Sequence, residues 1–522
     1  MTRIESGRSG PAWRLIGAAA LVQAALHAAS VGRYGIFRDE LYYLSCASRP
    51  AAGYVDQPPF SILFLSAWRF LFGDSAASLM VPPALCGVAV VVLTGLLARR
   101  FGGGPAAQGL ASAAAAVAPI WVGMTGYYSM NSFDILLWTL AATVLAALLG
   151  DEPGPRAGRL WLTLGLTLAL GLLNKISVLW LGAGIFAGLL LTPARRWLTT
   201  LGPWLAGGIA FLGLLPYLAW NALHRWPTLE FMRRATGEKY RATSPLAFGG
   251  ELLLLFQPLA APLWIAGLVW LLAARDGRRF RLLGVVFVTT FAILLANRTS
   301  KAEYLAAAFA PLLAAGGVAL ERLLHRGRSA AGAWVYGTLL VLGGVAIAPF
   351  ALPLLPVPEY LAYAKKLGMG PTTTERNELG PLPQHFADRF GWPEMAAEVA
   401  RVASMLTAGE RGTARVWARN YGEAAALEKY GAPLGVPRVL CPHNSFWFWS
   451  VADAEKNAPF KGPLIVIGGT RPDLETVFGR VEEAGKTGHP LAMPYENGRP
   501  IWICRDPKED LRAILQRDRL FI

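Results

Sequence analysis

Apolar runs of about membrane length recur over the first two-thirds of the chain, and short polar loops separate them. They predict membrane-spanning helices near residues 13–32, 78–98, 105–123, 132–149, 159–173, 176–192, 198–219, 247–273, 281–297, 303–320 and 332–352. The runs at 159–173 and 176–192 are short for about 30 Å of hydrocarbon, which also fits a tilted or re-entrant pair. The predicted count is therefore about eleven spans, with a margin of about two.

The pattern changes near residue 357, where the long apolar runs end. Helical patterns over 392–406 and 507–516 then alternate with short apolar runs of the kind that form buried strands. These runs lie at 413–418, 437–441, 463–468 and 500–504. The sequence thus predicts a transmembrane domain over residues 1–356 and a soluble α/β domain over residues 357–522.

Composition agrees with a membrane protein. Hydrophobic residues make up 54% of the chain and charged residues 16%, and the mean hydropathy is +0.40. These values exclude a purely soluble enzyme, a disordered protein and a fibrous protein. The net charge of +15 falls largely in short loops, as in membrane proteins, so we expect no nucleic-acid partner.

Basic residues in alternate loops predict the orientation. Arg3 and Arg8 precede the first apolar run, and later basic loops fall on the same side, which the positive-inside rule makes cytoplasmic. An odd number of spans then puts the C-terminal domain outside. The external loop 220–246 is also basic: it contains Arg225, Arg233, Arg234, Lys239 and Arg241. Either this cluster binds an anion, or a longer loop crosses the membrane whatever its charge.

The first external loop holds acidic and aromatic residues close to the membrane surface. Asp39 and Glu40 follow the first span directly, and Tyr43, Tyr54 and Asp56 come after them. Carboxylates near the hydrocarbon boundary lose solvation, so they favour a cation, a metal or a hydroxyl as partner. The alternative is a solvated loop with a helix-capping acid.

Further polar residues interrupt the ends of later apolar runs. Asp134 begins one run, Lys175 separates two short ones, and Lys301 and Tyr304 begin another. Each lysine taken singly also fits interfacial anchoring. Together these residues place acids, bases and tyrosines at one depth on the external side. A reaction between a lipid-borne phosphate and an external acceptor requires that arrangement.

These motifs resemble those of a known family. They are Asp39-Glu40, Tyr54 with Asp56-Gln57-Pro58-Pro59, Asp134, Trp220-Asn221, and Lys301 with Tyr304. The chain resembles, over about residues 30–320, the family that groups protein O-mannosyltransferases with the aminoarabinose transferases of lipid A. The resemblance implies the GT-C fold and a polyprenyl-phosphate sugar donor, such as an undecaprenyl-phosphate sugar. Segments 382–392 and 420–424 resemble bacterial members, which implies an inner (plasma) membrane location with a periplasmic or extracellular domain.

The resemblance also implies roles for single residues. The candidate catalytic carboxylates are Asp39, Glu40 and Asp134, with Asp39 as the general base and Asp134 as a helper. The candidate donor and phosphate-binding residues are Tyr43, Tyr54, Gln57, Lys175, Arg233, Lys301 and Tyr304. Asp56 matches an acid associated with the acceptor or a metal. Because one acid without histidines is a poor metal site, we expect no required metal or other cofactor.

Gln57 departs from the family pattern. It stands where the aminoarabinose enzymes have a lysine near the lipid phosphate, so a positive charge is missing. Lys175, Arg233 or Lys301 must then offset the phosphate, and the case for aminoarabinose as the sugar is weaker. A lipid, a glycan or a protein remains open as the acceptor.

The expected reaction is a single displacement at the anomeric carbon, which inverts its configuration. Glu40 faces away from Asp39 on a helix and is poorly placed to act as a covalent nucleophile. The competing class is a secondary transporter or lipid flippase, but we find no clear internal repeat, and the acids lie in external loops. The central prediction is that Asp39 and Asp134 converge in one pocket at the outer leaflet.

Two features of the tail leave alternatives open. Cys441 and Cys504 either pair in an oxidising compartment or stay free and buried. The aromatic run that contains His443, Trp447 and Trp449 predicts a packed core strand, with sugar stacking or membrane contact as the alternative.

Overall fold

The computed structural model describes residues 10–150, 155–240, 242–326, 330–373 and 375–522; Arg3, Arg8 and Arg241 lie outside these ranges. The chain divides into two compact units. Unit 1 comprises Met1–Arg33, Ser75–Ala219 and Ala242–Leu355, and unit 2 comprises Tyr34–Asp74, Trp220–Arg241 and Pro356–Ile522. The first external loop and most of the basic loop therefore group with the C-terminal tail.

The described residues are mainly helical. The helices are α1 (Trp13–Ser30), α2 (Arg38–Ala47), α3 (Phe60–Phe72), α4 (Ala76–Arg100), α5 (Pro105–Ala116), α6 (Pro119–Met124), α7 (Met130–Gly150), α8 (Pro155–Asn174), α9 (Val178–Leu191), α10 (Leu201–Leu223), α11 (Pro227–Arg234), α12 (Pro245–Leu255), α13 (Ala261–Leu272), α14 (Arg281–Ala296), α15 (Ala310–Arg326), α16 (Ala330–Ile347), α17 (Val357–Lys366), α18 (Gln384–Ala387), α19 (Trp392–Ser404), α20 (Ala408–Thr413), α21 (Tyr421–Ala426), α22 (Ser445–Lys456), α23 (Arg471–Val477) and α24 (Leu511–Arg517). The strands are β1 (Arg415–Trp417), β2 (Val439–Leu440), β3 (Leu464–Ile467), β4 (Phe478–Lys486) and β5 (Pro500–Pro507).

The predicted polytopic helical fold is confirmed, but the predicted count of about eleven spans is not. Within the described residues, 6 helices are long and apolar enough to cross a membrane, or up to 9 if each bent helix pair is one span. The predicted run 247–273 is such a pair, bent by 95° where Pro258 follows α12. The run 105–123 is also broken, at the residues before Pro119. Proline lacks the N–H of a helical hydrogen bond and disfavours helix at the preceding residue, so both runs break next to a proline.

Close helix packing in unit 1 depends on small residues. A Cβ atom added to Gly267 on α13 would lie 1.9 Å from the carbonyl oxygen of Leu312 on α15. One added to Gly316 on α15 would lie 2.0 Å from the carbonyl oxygen of Leu263. Glycine thus allows the two backbones to touch, as it does between helices in a membrane.

The tail of unit 2 contains one five-stranded sheet with strand order β2-β1-β3-β5-β4. The pairs β2–β1 and β1–β3 are parallel, whereas β3–β5 and β5–β4 are antiparallel. All four residues of β3 are buried, as expected for a central strand covered on both faces. The α/β prediction is confirmed. Strand β4 was not predicted, because this edge strand is mostly exposed and charged rather than apolar.

Two expectations for the tail have definite outcomes. The predicted strand around Trp447 and Trp449 is wrong: both residues lie on the helix α22, where the Trp447 indole N–H donates to the backbone oxygen of Leu515 at 2.8 Å. A short aromatic run does not by itself distinguish a buried strand from a buried helix. Cys441 and Cys504 are free and buried rather than paired.

Helix α2 begins against the tail within unit 2. The backbone N–H of Arg38 donates to the backbone oxygen of Asp388 at 3.0 Å. Just before the helix, the ring of Tyr34 meets the ring of Phe386 edge-on, with centroids 5.2 Å apart. These contacts fix the start of α2, and with it the acids of the first loop.

Candidate active site

The two acids at the start of α2 have different surroundings. A Glu40 carboxylate oxygen accepts a hydrogen bond from the backbone N–H of Phe37 at 2.9 Å, and the Glu40 side chain is buried. It therefore caps the first turn of its own helix, as in a capping box. The Asp39 side chain is 38% exposed. The capping alternative thus applies to Glu40, while the Asp39 carboxylate is accessible.

The Asp39 carboxylate lies between an arginine and a tyrosine. The Tyr421 hydroxyl donates to Asp39 Oδ1 at 2.9 Å, and Arg38 Nε lies 3.6 Å from the same oxygen. The Arg38 guanidinium also lies over the Tyr421 ring, 5.3 Å from its centroid. A Cβ atom at Gly422 would lie 2.6 Å from Arg38 Cγ, so the glycine leaves space for this arginine. The Asp39 carboxylate is therefore held in one orientation.

Arg38 also contacts a second pair of side chains, Tyr495 and Asp388. Its guanidinium donates to the Tyr495 hydroxyl, which donates to Asp388 Oδ1 at 3.1 Å. Arg38 Nη1 lies 3.6 Å from the same Asp388 oxygen. Burial raises the pKa of Asp388 to about 6, although Arg38 opposes the shift. The arginine thus joins two carboxylates, of which Asp39 is the accessible one and Asp388 the buried one.

Asp56 also lies in unit 2, where it is paired with a different tyrosine, Tyr42. The Tyr42 hydroxyl donates to Asp56 Oδ1 at 3.0 Å and accepts from the backbone N–H of Ser445 at 3.2 Å. The rings of Tyr42 and Tyr421 are 4.8 Å apart. Burial raises the pKa of Asp56 to about 6, and the bond from Tyr42 opposes the shift. No group of three or more metal-ligating side chains occurs in the described ranges, and the expectation of no required metal stays a prediction.

The other first-loop candidates are buried. The Tyr54 hydroxyl donates to the backbone oxygen of Arg49 at 3.0 Å and accepts from the backbone N–H of Ala51 at 3.1 Å, so it holds the loop itself. Tyr43 is buried within α2. Gln57 is also buried, and neither polar atom of its side chain has a hydrogen-bond partner in the described part of the chain. A bound polar group would offset the desolvation of that amide.

The basic residues of unit 2 differ in their partners. Lys239 Nζ lies 3.6 Å from Glu375 Oε1, and Gln384 donates to the other oxygen of that carboxylate at 2.9 Å. The predicted phosphate-binding residue Arg233 lies on α11 and is exposed. Part of the basic cluster is therefore paired with an acid of the tail, while Arg233 is exposed.

In unit 1, three predicted residues meet: Asp134, Lys175 and Tyr304. The Ser177 hydroxyl lies 3.0 and 3.1 Å from the two oxygens of Asp134, and Lys175 Nζ lies 3.5 Å from Asp134 Oδ2. Lys175 also donates to Asn131 Oδ1 at 2.8 Å and lies 5.3 Å from the centre of the Tyr304 ring. Asp134 thus holds the ammonium group of Lys175 in place.

Lys301, the remaining cation predicted for this unit, has its own acidic neighbour. Its Nζ lies 3.6 Å from Glu303 Oε1, and most of the Lys301 side chain is buried. Both lysines of unit 1 are therefore paired with a carboxylate. The prediction that Asp39 and Asp134 share one pocket concerns residues of two separately described units, and it stays a prediction.

Four residues surround Asp39: Arg38, Asp388, Tyr421 and Tyr495. Sequence reasoning considered Tyr421 only within the aromatic run of the tail, with packing, sugar stacking or membrane contact as its role, and assigned no role to the other three. Arg38 was visible as the neighbour of the first acid. Asp388 and Tyr421 lie in the two tail segments that resemble bacterial members of the family. Nothing in the sequence marks Tyr495 as a site residue, because a single tyrosine in a loop belongs to no recognisable motif.

Comparison with known proteins agrees with this architecture. Residues 56–220 match the family model of dolichyl-phosphate-mannose-protein mannosyltransferases. Crystal structures of ArnT from Cupriavidus metallidurans have a similar fold. The structure bound to undecaprenyl phosphate has 15% identity, covers 94% of this chain and 97% of its own, and has a TM-score of 0.59. The apo structure has 14% identity, the same coverage and a TM-score of 0.61. No curated protein sequence matches the chain.

The matched segment contains Asp56, Gln57, Asp134 and Lys175, whereas Asp39 and the tail residues around it lie outside the segment. The likeness to ArnT at this identity concerns the fold. These findings confirm the resemblance drawn from the first loop: residues 56–220 match the mannosyltransferase family model, and the chain shares its fold with the ArnT structures.

Proposed function

We propose that the protein transfers a sugar from a polyprenyl-phosphate donor to an acceptor hydroxyl or phosphate on the outer face of the membrane, by an inverting single displacement. The observation that carries the proposal is the accessible carboxylate of Asp39, held between Arg38 and the Tyr421 hydroxyl. The family match supports the class of donor, and one ArnT structure was determined with undecaprenyl phosphate bound.

Asp39 is the proposed general base. A carboxylate within reach of an acceptor hydroxyl accepts its proton as the new bond forms, and such catalysis is typically worth about 10²- to 10⁴-fold in rate. The bond from Tyr421 and the neighbouring Arg38 hold the carboxylate in position, which lowers the cost of orienting it. Glu40 is buried and occupied by its helix N-terminus, so we assign it no part in bond formation.

Lys175 is the proposed cation for the donor phosphate. A fixed positive charge in a partly dry site stabilises the negative charge that develops on the departing phosphate. Asp134 and Asn131 hold the ammonium group of Lys175, so Asp134 acts as a positioning residue. Lys301 and Arg233 are further candidates. Gln57, with its unpartnered amide, is a candidate hydrogen-bond donor to the phosphate.

The proposed setting is the bacterial inner membrane, with the N-terminus cytoplasmic and the tail domain external. A lipid-linked donor and a reaction at the outer face account for an enzyme that combines many spans with an external α/β domain. The acceptor is a lipid, a glycan or a protein. No metal or other cofactor is required in this scheme.

The test compares cell-envelope lipids and glycans, by mass spectrometry, in cells with and without the gene product. Asp39→Asn is the variant, and Asp518→Asn is its matched control. Asp518 also follows an arginine, Arg517, whose Nε lies 3.1 Å away, and its side chain is 39% exposed, close to the 38% of Asp39. We expect the control to retain the added sugar and Asp39→Asn to lose it by about 10²-fold or more at equal expression.

The transporter alternative predicts a different outcome. Asp39→Asn would then keep full activity, and the purified protein in liposomes would move a labelled polyprenyl-phosphate lipid across the bilayer. That pair of results would refute the proposed transfer reaction.

A further inference from the structure

Glu496 is an acid of unit 2 that follows Tyr495 in the chain, and its side chain is only 8% exposed. One carboxylate oxygen, Oε1, accepts a hydrogen bond from Asn420 Nδ2 at 2.8 Å. The other, Oε2, accepts from Arg419 Nη2 at 3.0 Å. A single carboxylate thus holds the two residues that immediately precede α21.

The Asn420 side chain connects this carboxylate to α21. Its amide nitrogen donates to Glu496, and its Oδ1 accepts from the backbone N–H groups of the second and third residues of α21, at 2.9 and 3.1 Å. Because the amide is one planar group with a donor end and an acceptor end, fixing the first also fixes the second. Glu496 therefore orients the cap of α21, whose first residue, Tyr421, donates to Asp39.

The loop that contains Glu496 is held through its own backbone. The Thr487 hydroxyl donates to the backbone oxygen of Glu496 at 2.8 Å. Two arginines, Arg499 through Nε and Arg419 through Nη2, donate to the backbone oxygen of Tyr495 at 2.8 and 3.1 Å. The Glu496 side chain therefore extends from a fixed backbone, as a positioning group requires.

Glu496 also has an acidic neighbour, Glu423, whose side chain is buried. Glu423 Oε1 accepts from Arg419 Nε at 2.9 Å, so the two carboxyls share one guanidinium. Burial and the hydrogen-bonded Glu423 carboxylate raise the pKa of Glu496, and Arg419 opposes the shift. A glutamine offers the same pair of groups as a protonated Glu496: a carbonyl oxygen for Asn420 and a donor for Glu423.

We propose that Glu496 is a positioning residue for the transfer reaction: through Asn420 it sets the Tyr421 hydroxyl against the Asp39 carboxylate. This inference rests on the proposed function and adds a residue to it. Because Glu496 acts on the orientation of Asp39 and not on the donor, its loss lowers kcat and leaves KM for the polyprenyl-phosphate donor within about twofold.

The experiment measures sugar transfer by the purified full-length protein at equal amounts of folded protein. The polyprenyl-phosphate sugar and the acceptor fraction are extracted from cells that lack the gene product. We expect kcat to fall by about tenfold in Glu496→Ala, because small displacements of oriented groups are costly. We expect Glu496→Gln, which keeps the acceptor oxygen for Asn420, to stay within about twofold of the unmodified protein.

Asp453→Ala is the matched control. The Asp453 side chain is also 8% exposed, and it pairs with two arginines, Arg415 and Arg438, at 2.9 and 2.7 Å. Loss of this buried carboxylate is expected to lower the unfolding temperature. Because neither arginine contacts Asp39 or Tyr421 in the described contacts, we expect kcat per folded molecule to stay within about twofold.

Tyr421→Phe separates a positioning role of Glu496 from a merely structural one, since it removes the hydroxyl and keeps the ring. If Glu496 acts through that hydroxyl, each single change lowers kcat by about tenfold, but Glu496→Ala added to Tyr421→Phe lowers it by less than about twofold more. A merely structural role would make the losses multiply, to about a hundredfold in the double variant.

The outcomes distinguish the inference from the proposed function. Losses that multiply, an unchanged kcat in Glu496→Ala, a loss in Glu496→Gln as large as in Glu496→Ala, or an equal loss in Asp453→Ala would overturn the positioning role and leave glycosyl transfer standing. If the unmodified protein transfers no sugar, the proposed function is wrong and the inference falls with it.

Discussion

Asp39 and Glu40 are chemically alike, yet their positions in one helix turn give them different tasks. Glu40 is the third residue of α2, from which a side chain reaches back to the free N–H of Phe37. Asp39 is one residue earlier, and its carboxylate lies beside Arg38 and accepts a hydrogen bond from Tyr421. A shift of one position therefore separates a structural acid from an accessible one.

Loss of the Glu40 cap is expected to reduce stability rather than chemistry. Glu40→Ala leaves the N–H of Phe37 without its carboxylate partner, which costs roughly 1–3 kcal/mol. We expect a lower unfolding temperature in detergent and a normal turnover per folded molecule. Glu40→Gln keeps an acceptor oxygen at the same place and is the matched control. A Glu40→Gln protein that folds normally but does not turn over would contradict this assignment.

Substitution of Lys175 is expected to weaken donor use. Lys175→Met removes the charge but keeps most of the side-chain volume, so we expect kcat/KM for the polyprenyl-phosphate donor to fall by about 10- to 100-fold. Asp134→Asn is expected to lower it less, because Asp134 holds the lysine. Lys366→Met, at an exposed lysine of α17, serves as the control. A severe loss in Asp134→Asn with little change in Lys175→Met would reverse the two roles.

At the scale of elements, the site depends on the close approach of α2 and α21. Asn420 caps α21 through hydrogen bonds to the backbone N–H groups of Gly422 and Glu423. This cap presents the Tyr421 hydroxyl to Asp39, and Gly422 leaves room for the stem of Arg38. Two short helices from distant parts of the chain thereby orient one carboxylate.

A methyl group at this contact is expected to disturb the site. In Gly422→Ala the new Cβ would lie 2.6 Å from Arg38 Cγ, so the arginine must move. We expect kcat to fall by about tenfold or more, because small displacements of oriented groups are costly. Gly409→Ala is the control, since a Cβ at Gly409 meets nothing within 4 Å. Equal activity of the two variants, measured at equal amounts of folded protein, would show that this contact is not needed.

At the scale of the whole molecule, the partly buried carboxyl of Asp56 and the buried carboxyl of Asp388 link folding to pH. Burial raises the pKa of Asp56 and that of Asp388 from 3.8 to about 6. At a pH between 3.8 and about 6, the folded protein binds more protons than the unfolded chain. These two groups therefore make folding more favourable as the pH falls from 7 toward 4. Their stabilising contribution is lost as the pH rises through about 6.

The expected observation is an unfolding temperature that depends on pH through Asp388. From pH 8 to pH 5, we expect the change in unfolding temperature to be smaller in Asp388→Asn than in the unmodified protein. A shift of about two pKa units corresponds to roughly 2–3 kcal/mol over the full window. Asp518→Asn should keep the original pH dependence. If the unfolding temperature of Asp388→Asn depends on pH in the same way as that of the unmodified protein, the Asp388 carboxyl does not titrate as described.

The sequence alone was sufficient for the membrane class and the α/β tail, because apolar run length and strand alternation are local properties. It did not show where Pro119 and Pro258 interrupt apolar runs, and it predicted a strand where Trp447 lies on a helix. In each case a local pattern fitted two structures equally well.

Tertiary structure decided which residues act together. Asp39 and Tyr421 are 382 residues apart in the chain, and Arg38 and Asp388 are 350 apart, so no local pattern could pair them. Folding also places Asp134 beside Lys175 and Glu375 beside Lys239. In each pair the carboxylate offsets the positive charge of the lysine. Residue type fixes what a side chain can do, whereas its solvation and its partners depend on packing between distant segments.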